Sequence, residues 1–145
     1  MKDVLIDNCV AKNFCNPMDP EYRRFIAWLA SEGVVVVTQS LLVEYHRSTG
    51  ASNSPTNIVV ILNKLMAEGR FRKIGKRELD ALKIPSHIRR NWSCNVEDHV
   101  NVKAVVLSVR KYALSLDDRF RADVNAFPGV GARAERRPQD LPYSA

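Results

Sequence analysis

Gly33-Val34-Val35-Val36-Val37-Thr38 decides the fold. Four consecutive β-branched residues bounded by a glycine and a threonine form a strand. They show no apolar–polar alternation, so both faces are buried, as in the middle of a parallel sheet. Parallel strands need long crossover connections, usually helical, and helical signals flank the quartet. Upstream, Asn16-Pro17-Met18-Asp19-Pro20 is a turn, with Asp19 as N-cap and Pro20 as the first helical residue. The helix that follows places Tyr22, Phe25, Ile26 and Leu29 on one face and Arg23 and Arg24 outward, and Gly33 ends it. Downstream, Ser40 is the expected N-cap of a helix over Leu41–Arg47, with Leu41, Leu42 and Tyr45 apolar and Glu44 about one turn in.

The same pattern extends both ways. Val4-Leu5-Ile6 is a short buried strand, and Val10–Phe14 reads as a helical turn or two. Gly50–Pro55 is a loop of small polar residues. Thr56 is placed to cap an amphipathic helix over Asn57–Glu68, closed by Gly69, whose apolar positions are Ile58, Ile61, Leu62, Leu65 and Met66. Arg70–Ile74 reads as an edge strand, Lys76–Leu82 as a short helix, and Ser86–Trp92 as a turn after Pro85. Val96-Glu97-Asp98 opens a run, Val100–Val109, whose length favours a helix buried nearly all round over a valine-rich strand. Tyr112–Leu116 is a third core strand ending in Asp117-Asp118. The predicted architecture is α/β, a small parallel sheet sandwiched by helices in three layers, with right-handed crossovers. It spans residues 1–126; residues 127–145, basic and proline-containing, read as a disordered tail or extended arm.

The chain of 145 residues suits one domain with a real core, and 46% hydrophobic with 26% charged residues is a globular composition. No apolar run approaches the ~18 residues that span a bilayer, and Asp3, Asp7 and Asn8 exclude a signal-peptide core. The expectation is a soluble, cytoplasmic protein without membrane partners. Cys9, Cys15 and Cys94 form neither a disulfide framework nor a zinc motif, and read as small buried hydrophobes. The net charge is +6 and the isoelectric point near 9.5. Residues 70–90 hold Arg70, Arg72, Lys73, Lys76, Arg77, Lys83, Arg89 and Arg90 against Glu78 and Asp80, a surplus of six that equals the excess of the whole chain. Such a surplus suits a polyanion, with a solvated basic face as the alternative.

Carboxylates recur at one kind of place. Asp7 and Asp117 follow the first and third core strands, and Glu44 lies early in the helix after the second. In open α/β sheets, chemistry sits outside the carboxyl ends of the strands. Asp98, near the start of the apolar helix, joins them only if that helix begins at the same edge.

These residues resemble the PIN domain family over roughly residues 3–125. The matching pieces are Val4-Leu5-Ile6-Asp7-Asn8, Thr38-Gln39-Ser40-Leu41-Leu42-Val43-Glu44, Glu97-Asp98, and Ser115-Leu116-Asp117-Asp118-Arg119-Phe120, the last fitting a T/S-x-D-x-x-F/L pattern. Cys9 stands where a small polar residue is commoner, and the last strand lacks the usual preceding glycine. The resemblance implies a Mg²⁺- or Mn²⁺-dependent ribonuclease. Asp7, Asp98 and Asp117 (with Asp118 as the alternative) would bind metal, Glu44 would bind metal or orient water, and Ser115 would support the cluster. Clustered carboxylates are tolerable mainly around a cation, and oxygen donors alone suit these hard ions. Small stand-alone members, the VapC-like toxins, are paired with an antitoxin protein, and dimers are common, which makes the helix over 57–68 either an interface or a cover for the sheet.

In that reading Arg70, Arg72, Lys73, Lys76, Arg77, Arg89 and Arg90 grip RNA phosphates. Trp92 and Tyr45 are candidates to stack on bases, with packing the commoner role. Asp123 is a candidate extra acid, while His46, His87 and His99 are weak ligand candidates. The competing function is an inert PIN-like module that binds RNA or protein. An aspartyl-phosphatase nucleophile at Asp7 is disfavoured, because its Asp-x-Asp pattern meets Cys9.

Overall fold

The computed structural model describes residues 1–145. Five parallel strands form one sheet: β1 (Asp3–Ile6), β2 (Val34–Val37), β3 (Phe71–Lys73), β4 (Tyr112–Leu114) and β5 (Arg133–Glu135), in the order β3-β2-β1-β4-β5. Eight helices connect them: α1 (Asn8–Ala11), α2 (Pro20–Ser31), α3 (Gln39–Thr49), α4 (Ile58–Ala67), α5 (Lys76–Ala81), α6 (Ser86–Arg90), α7 (His99–Leu107) and α8 (Asp118–Asn125). The chain steps from β1 to β2 to β3 in one direction, then returns to the other side of β1 for β4 and β5. Right-handed crossovers then put the two sets of helices on opposite faces. α4 packs on β2 and β3 in a layer with α1, α2 and α3, and α7 packs on β1 and β2 beside α5 and α8. No helix is long and apolar enough to cross a membrane.

The valine quartet behaves as its composition demands. Val35, Val36 and Val37 are fully buried, with β1 on one side and β3 on the other. Gly33 precedes them because α2 turns back closely there: a Cβ at that position would meet the Trp28 ring at 2.8 Å. Asp19 caps α2 by accepting from the Glu21 N–H at 2.9 Å, with Pro20 at the first helical position. The apolar face of α4 (Ile58, Ile61, Leu62 and Leu65) is spent on the core, so the helix covers the sheet with that face. Gly69, at φ +73°, ends it in the left-handed conformation glycine favours. α7 is buried nearly all round, as its valine-rich composition predicts.

Two caps differ from expectation. Thr38, not Ser40, caps α3, accepting from the Leu41 N–H at 3.2 Å while donating to Asn101 Oδ1 at 2.8 Å. Asn57, not Thr56, caps α4. In each case a neighbouring side chain competes for the same role, and tertiary bonds choose between them. α8 has no counterpart in the sequence reading; it is amphipathic, and begins where Asp117 accepts from the N–H groups of Arg119 and Phe120. Lys111, at φ +62°, stands before β4 in a conformation that an L-residue adopts at a cost of ~1 kcal/mol or more. That is the turn where the resembled family usually has glycine.

Residues 127–145 are not a tail. Arg133–Glu135 pairs in parallel with β4 as the fifth strand, Leu141 is buried, and Tyr143 packs edge-on against Phe25 at 4.9 Å. Arg133, Arg136 and Pro142 are exposed, while Ala134, Pro138 and Leu141 are buried and Arg137 pairs with Asp19. Truncation after residue 131 should therefore uncover β4 and the α2 aromatics. We expect loss of the cooperative thermal transition, or a fall in stability of about 3 kcal/mol or more, measured by circular-dichroism melting; an unchanged melt would mean the strand contributes nothing.

Candidate active site at the switch point of the sheet

Strand order reverses between β1 and β4, and at such a switch point the carboxyl ends of adjacent strands diverge into a crevice. One residue beyond β1, Asp7 caps α1, accepting from the Asn8 N–H at 2.8 Å. Three residues beyond β4, Asp117 caps α8. The two are tied by Ser115, which is fully buried: its Oγ donates to Asp7 Oδ2 at 2.5 Å and accepts from the Asp117 N–H at 3.1 Å. Cys9 adds a thiol contact to Asp7 Oδ2 at 3.4 Å.

Glu44 and Asp98 arrive from opposite layers. α3 is oriented by Tyr45, fully buried, whose hydroxyl donates to the Ile6 carbonyl. That directs the preceding residue, Glu44, toward the crevice. Asp98 ends the 3₁₀ turn before α7, so this helix does begin at the carboxyl edge. Asp7, Glu44, Asp98 and Asp117 thus line a single open cavity of about 380 Å³, together with Asn8, Cys9 and Lys12.

The electrostatics separate these acids into two kinds. Asp7 and Asp117 cap helices, an ordinary structural use. Glu44 and Asp98 make no hydrogen bond or ion pair within the fold. Burial pushes the Glu44 carboxyl above its ordinary range; repulsion by Asp7 and Asp98 adds to this, and Arg47 opposes it. Burial likewise raises Asp98, reinforced by Asp7, Asp117 and Glu97 and opposed by His99.

Carboxylate oxygens are the right donors for Mg²⁺ or Mn²⁺. The buried Asn8 Oδ1 is a further oxygen acceptor left without a partner. The spacing is open: no three His, Cys, Asp or Glu side chains stand close enough to form a ready-made chelate. The set therefore fits a hydrated ion held by one or two carboxylates and its own waters, the usual habit of Mg²⁺.

Not every expected residue gathers here. Asp118 is 85% exposed and paired with Arg121, outside the cavity, so geometry favours Asp117 over its neighbour. Asp123 is buried elsewhere, accepting from the N–H groups of Ser93 and Cys94 at 2.9–3.0 Å. Tyr45 is in the core and is unavailable for stacking. His46 and His87 are exposed away from the acids. His99 stacks edge-on against Trp92 at 4.8 Å. Lys12 is the cavity residue that sequence reasoning missed; its signal is the helical i, i+4 spacing from Asn8.

The basic stretch divides in the same way. The Arg70 guanidinium is consumed by the carbonyls of Leu29, Ala30 and Gly33 at 2.6–2.8 Å, closing the end of α2, and it also pairs with Glu68. Arg72 bonds the Leu107 carbonyl at the end of α7 and pairs with Glu78. Neither is free to grip phosphate. Lys73 and Lys76 are exposed, beside a cavity of about 330 Å³ at the start of α3. Arg77, Arg89 and Arg90 are exposed and unpaired.

No protein-family model, curated protein or solved structure matches this chain.

Two outcomes test this division. Arg70→Ala should cost about 2–3 kcal/mol, because three part-buried carbonyls lose a charged donor, whereas Arg89→Ala should stay within ~0.5 kcal/mol; urea unfolding separates them. For Asp98, the raised carboxyl means that the folded state binds its proton more readily than the unfolded chain. Stability is therefore lost as pH rises from the ordinary carboxyl range through the raised value. Asp98→Asn should raise the metal-free melting temperature at neutral pH by about 1–3 °C, after screening by solvent. The gain should vanish as pH falls below the ordinary carboxyl range; a lowered melting temperature at pH 7 would show that the carboxylate is structural.

Proposed function

We propose that the protein is a metal-dependent endoribonuclease of the PIN type, cutting RNA phosphodiester bonds, and that it works in the cytoplasm as the toxin of a toxin–antitoxin pair. The observation that carries the nuclease reading is the pair Glu44 and Asp98. Two carboxylates without partners, held on a cavity shared with two more, cost stability and do nothing for the fold. Perturbed acids in a cleft mark functional sites. The RNA and toxin parts rest on the sequence resemblance.

Of Asp7, Asp98 and Asp117, one or two would hold Mg²⁺ or Mn²⁺ directly and the rest through its waters, with Glu44 close by. When bound, the ion supplies an activated water and neutralises charge on the phosphodiester being cleaved. The side chains around it have their own tasks. Ser115 and the Asn8 N–H lock the Asp7 carboxylate before substrate arrives, so no rotamer entropy is lost at binding. Glu44, without a partner, is free to orient water as an acceptor. Lys12, at the cavity rim, offers a cation to the phosphate. The exposed Lys73, Lys76, Arg77, Arg89 and Arg90 add salt-dependent, sequence-independent attraction to the strand.

The openness of the acid cluster favours a second reading, an inert RNA- or protein-binding module. One experiment divides them. Purified protein with Mn²⁺ should cleave single-stranded and structured RNA, and Asp7→Asn and Asp98→Asn should each lower the rate at least ~100-fold. Mn²⁺ at 100 times its dissociation constant should stabilise the wild type by about 2.7 kcal/mol, and Asp98→Asn much less. An inert module gives neither cleavage nor a Mn²⁺-dependent rise in melting temperature.

A further inference from the structure

A second cavity, of about 250 Å³, lies between α6 and α8, apart from the acids. Trp92 and Phe127 present ring surface to it, and His87, Ile88, Asn91 and Asp123 complete most of the wall. We propose that this cavity is a subsite for one unpaired base of a single-stranded nucleic acid whose backbone runs on to the acid cavity; the proposal rests on the nucleic-acid reading above.

Four observations on different residues carry it. First, size: the volume falls below the ~300–1,000 Å³ of drug-sized ligand sites, which suits a single planar group. Second, chemistry: Trp92 and Phe127 are half-buried, with centroids 6.5 Å apart, and keep aromatic surface open to the cavity. Every base has a π-face to set against such rings. The Asn91 amide and the His87 imidazole, neither bonded within the fold, stand at the rim to meet a base edge. Third, charge: α6 forms one wall through His87 and Ile88 and carries Arg89 and Arg90, both exposed and unpaired; neither lines the cavity, but each is within two residues of one that does. Aromatic surface with free guanidinium beside it is complementary to a base joined to a phosphate. Fourth, position: Asp117 begins α8 at the acid cavity, and Asp123 lies six residues along the same helix at this one. At the helical rise this is about 9 Å, a span that a short stretch of single strand bridges.

The site is also built in advance. Asp123 takes both N–H groups that follow Trp92, Ser93 at 3.0 Å and Cys94 at 2.9 Å. The hydrogen bonds outweigh burial and hold this carboxyl below its ordinary range. Trp92 itself is wedged against His99, next to Asp98. The loop carrying the indole is thereby tied to the helix that starts at the acid site.

The test needs no catalysis and is run in EDTA. The chain has two tryptophans, so Trp28→Phe leaves Trp92 as the sole reporter. A single-stranded RNA hexamer should quench Trp92 fluorescence. Trp92→Leu should weaken binding of that hexamer about tenfold by anisotropy. A hexamer of abasic sugars should bind the wild type about tenfold more weakly than the parent oligomer, and Trp92→Leu should cause no further loss with it. Arg90→Ala should reduce the salt dependence of binding by about one phosphate contact. Unmoved Trp92 fluorescence on hexamer binding, or equal affinity of wild type and Trp92→Leu, overturns the subsite, and so does AMP binding as tightly as the hexamer. Quenching reads the site with Trp92 in place, so it stands even if Trp92→Leu folds poorly. Should RNA cleavage fail while quenching persists, the nuclease reading fails and the subsite remains.

Discussion

β1 hydrogen-bonds on both edges to parallel strands, and the rest of the molecule depends on that pairing. With β2 on one side and β4 on the other, the chain must reverse its direction of travel across the sheet at β1. The reversal puts helices on both faces and opens a crevice at the carboxyl ends of β1 and β4. Asp7 and Asp117 leave those two ends, and Ser115 ties them into one unit. At the opposite end of β1, Asp3 is fully buried and accepts from the N–H groups of Val109 and Arg110 at 2.8 and 2.9 Å. One carboxylate thus anchors the strand's amino end in the core, while another, four residues on, faces the crevice.

The two uses of aspartate explain why acid content alone says little about function. Asp3, Asp19 and Asp123 give their oxygens to backbone N–H groups and stabilise turns or helix starts. Asp7 and Asp117 do the same with part of their capacity and still border the cavity. Only Glu44 and Asp98 are left with nothing but one another and their neighbours' charge. A fold that keeps two such groups together forgoes stability at neutral pH, which is the pattern of a site shaped by something other than stability.

Basic residues divide by the same physics. Arg70 and Arg72 count toward the net charge of the sequence, yet both guanidinium groups are turned inward to close the ends of α2 and α7. Helix C-termini present unsatisfied carbonyls, and a guanidinium is well suited to collect several at once. The surface that remains positive is smaller than composition implies, and it is displaced toward α5 and α6. That displacement leaves free arginines on α6, the helix whose His87 and Ile88 line the aromatic cavity.

The sequence by itself determined the α/β class, four of the five strands, most helices, and the identity and chain order of the acids. These features follow from local physics: β-branched runs, helical periodicity, proline and glycine at helix ends. Tertiary structure decided what local physics leaves degenerate. Asp117 and Asp118 are equivalent by sequence until α8 turns one to the cavity and the other to Arg121. Tyr45 is an aromatic beside an acid until burial removes it. The last nineteen residues look polar until β4 offers an open edge, which Arg133–Glu135 fills as a parallel strand. In each case the outcome depends on which distant backbone groups need partners, and no window of sequence contains that information.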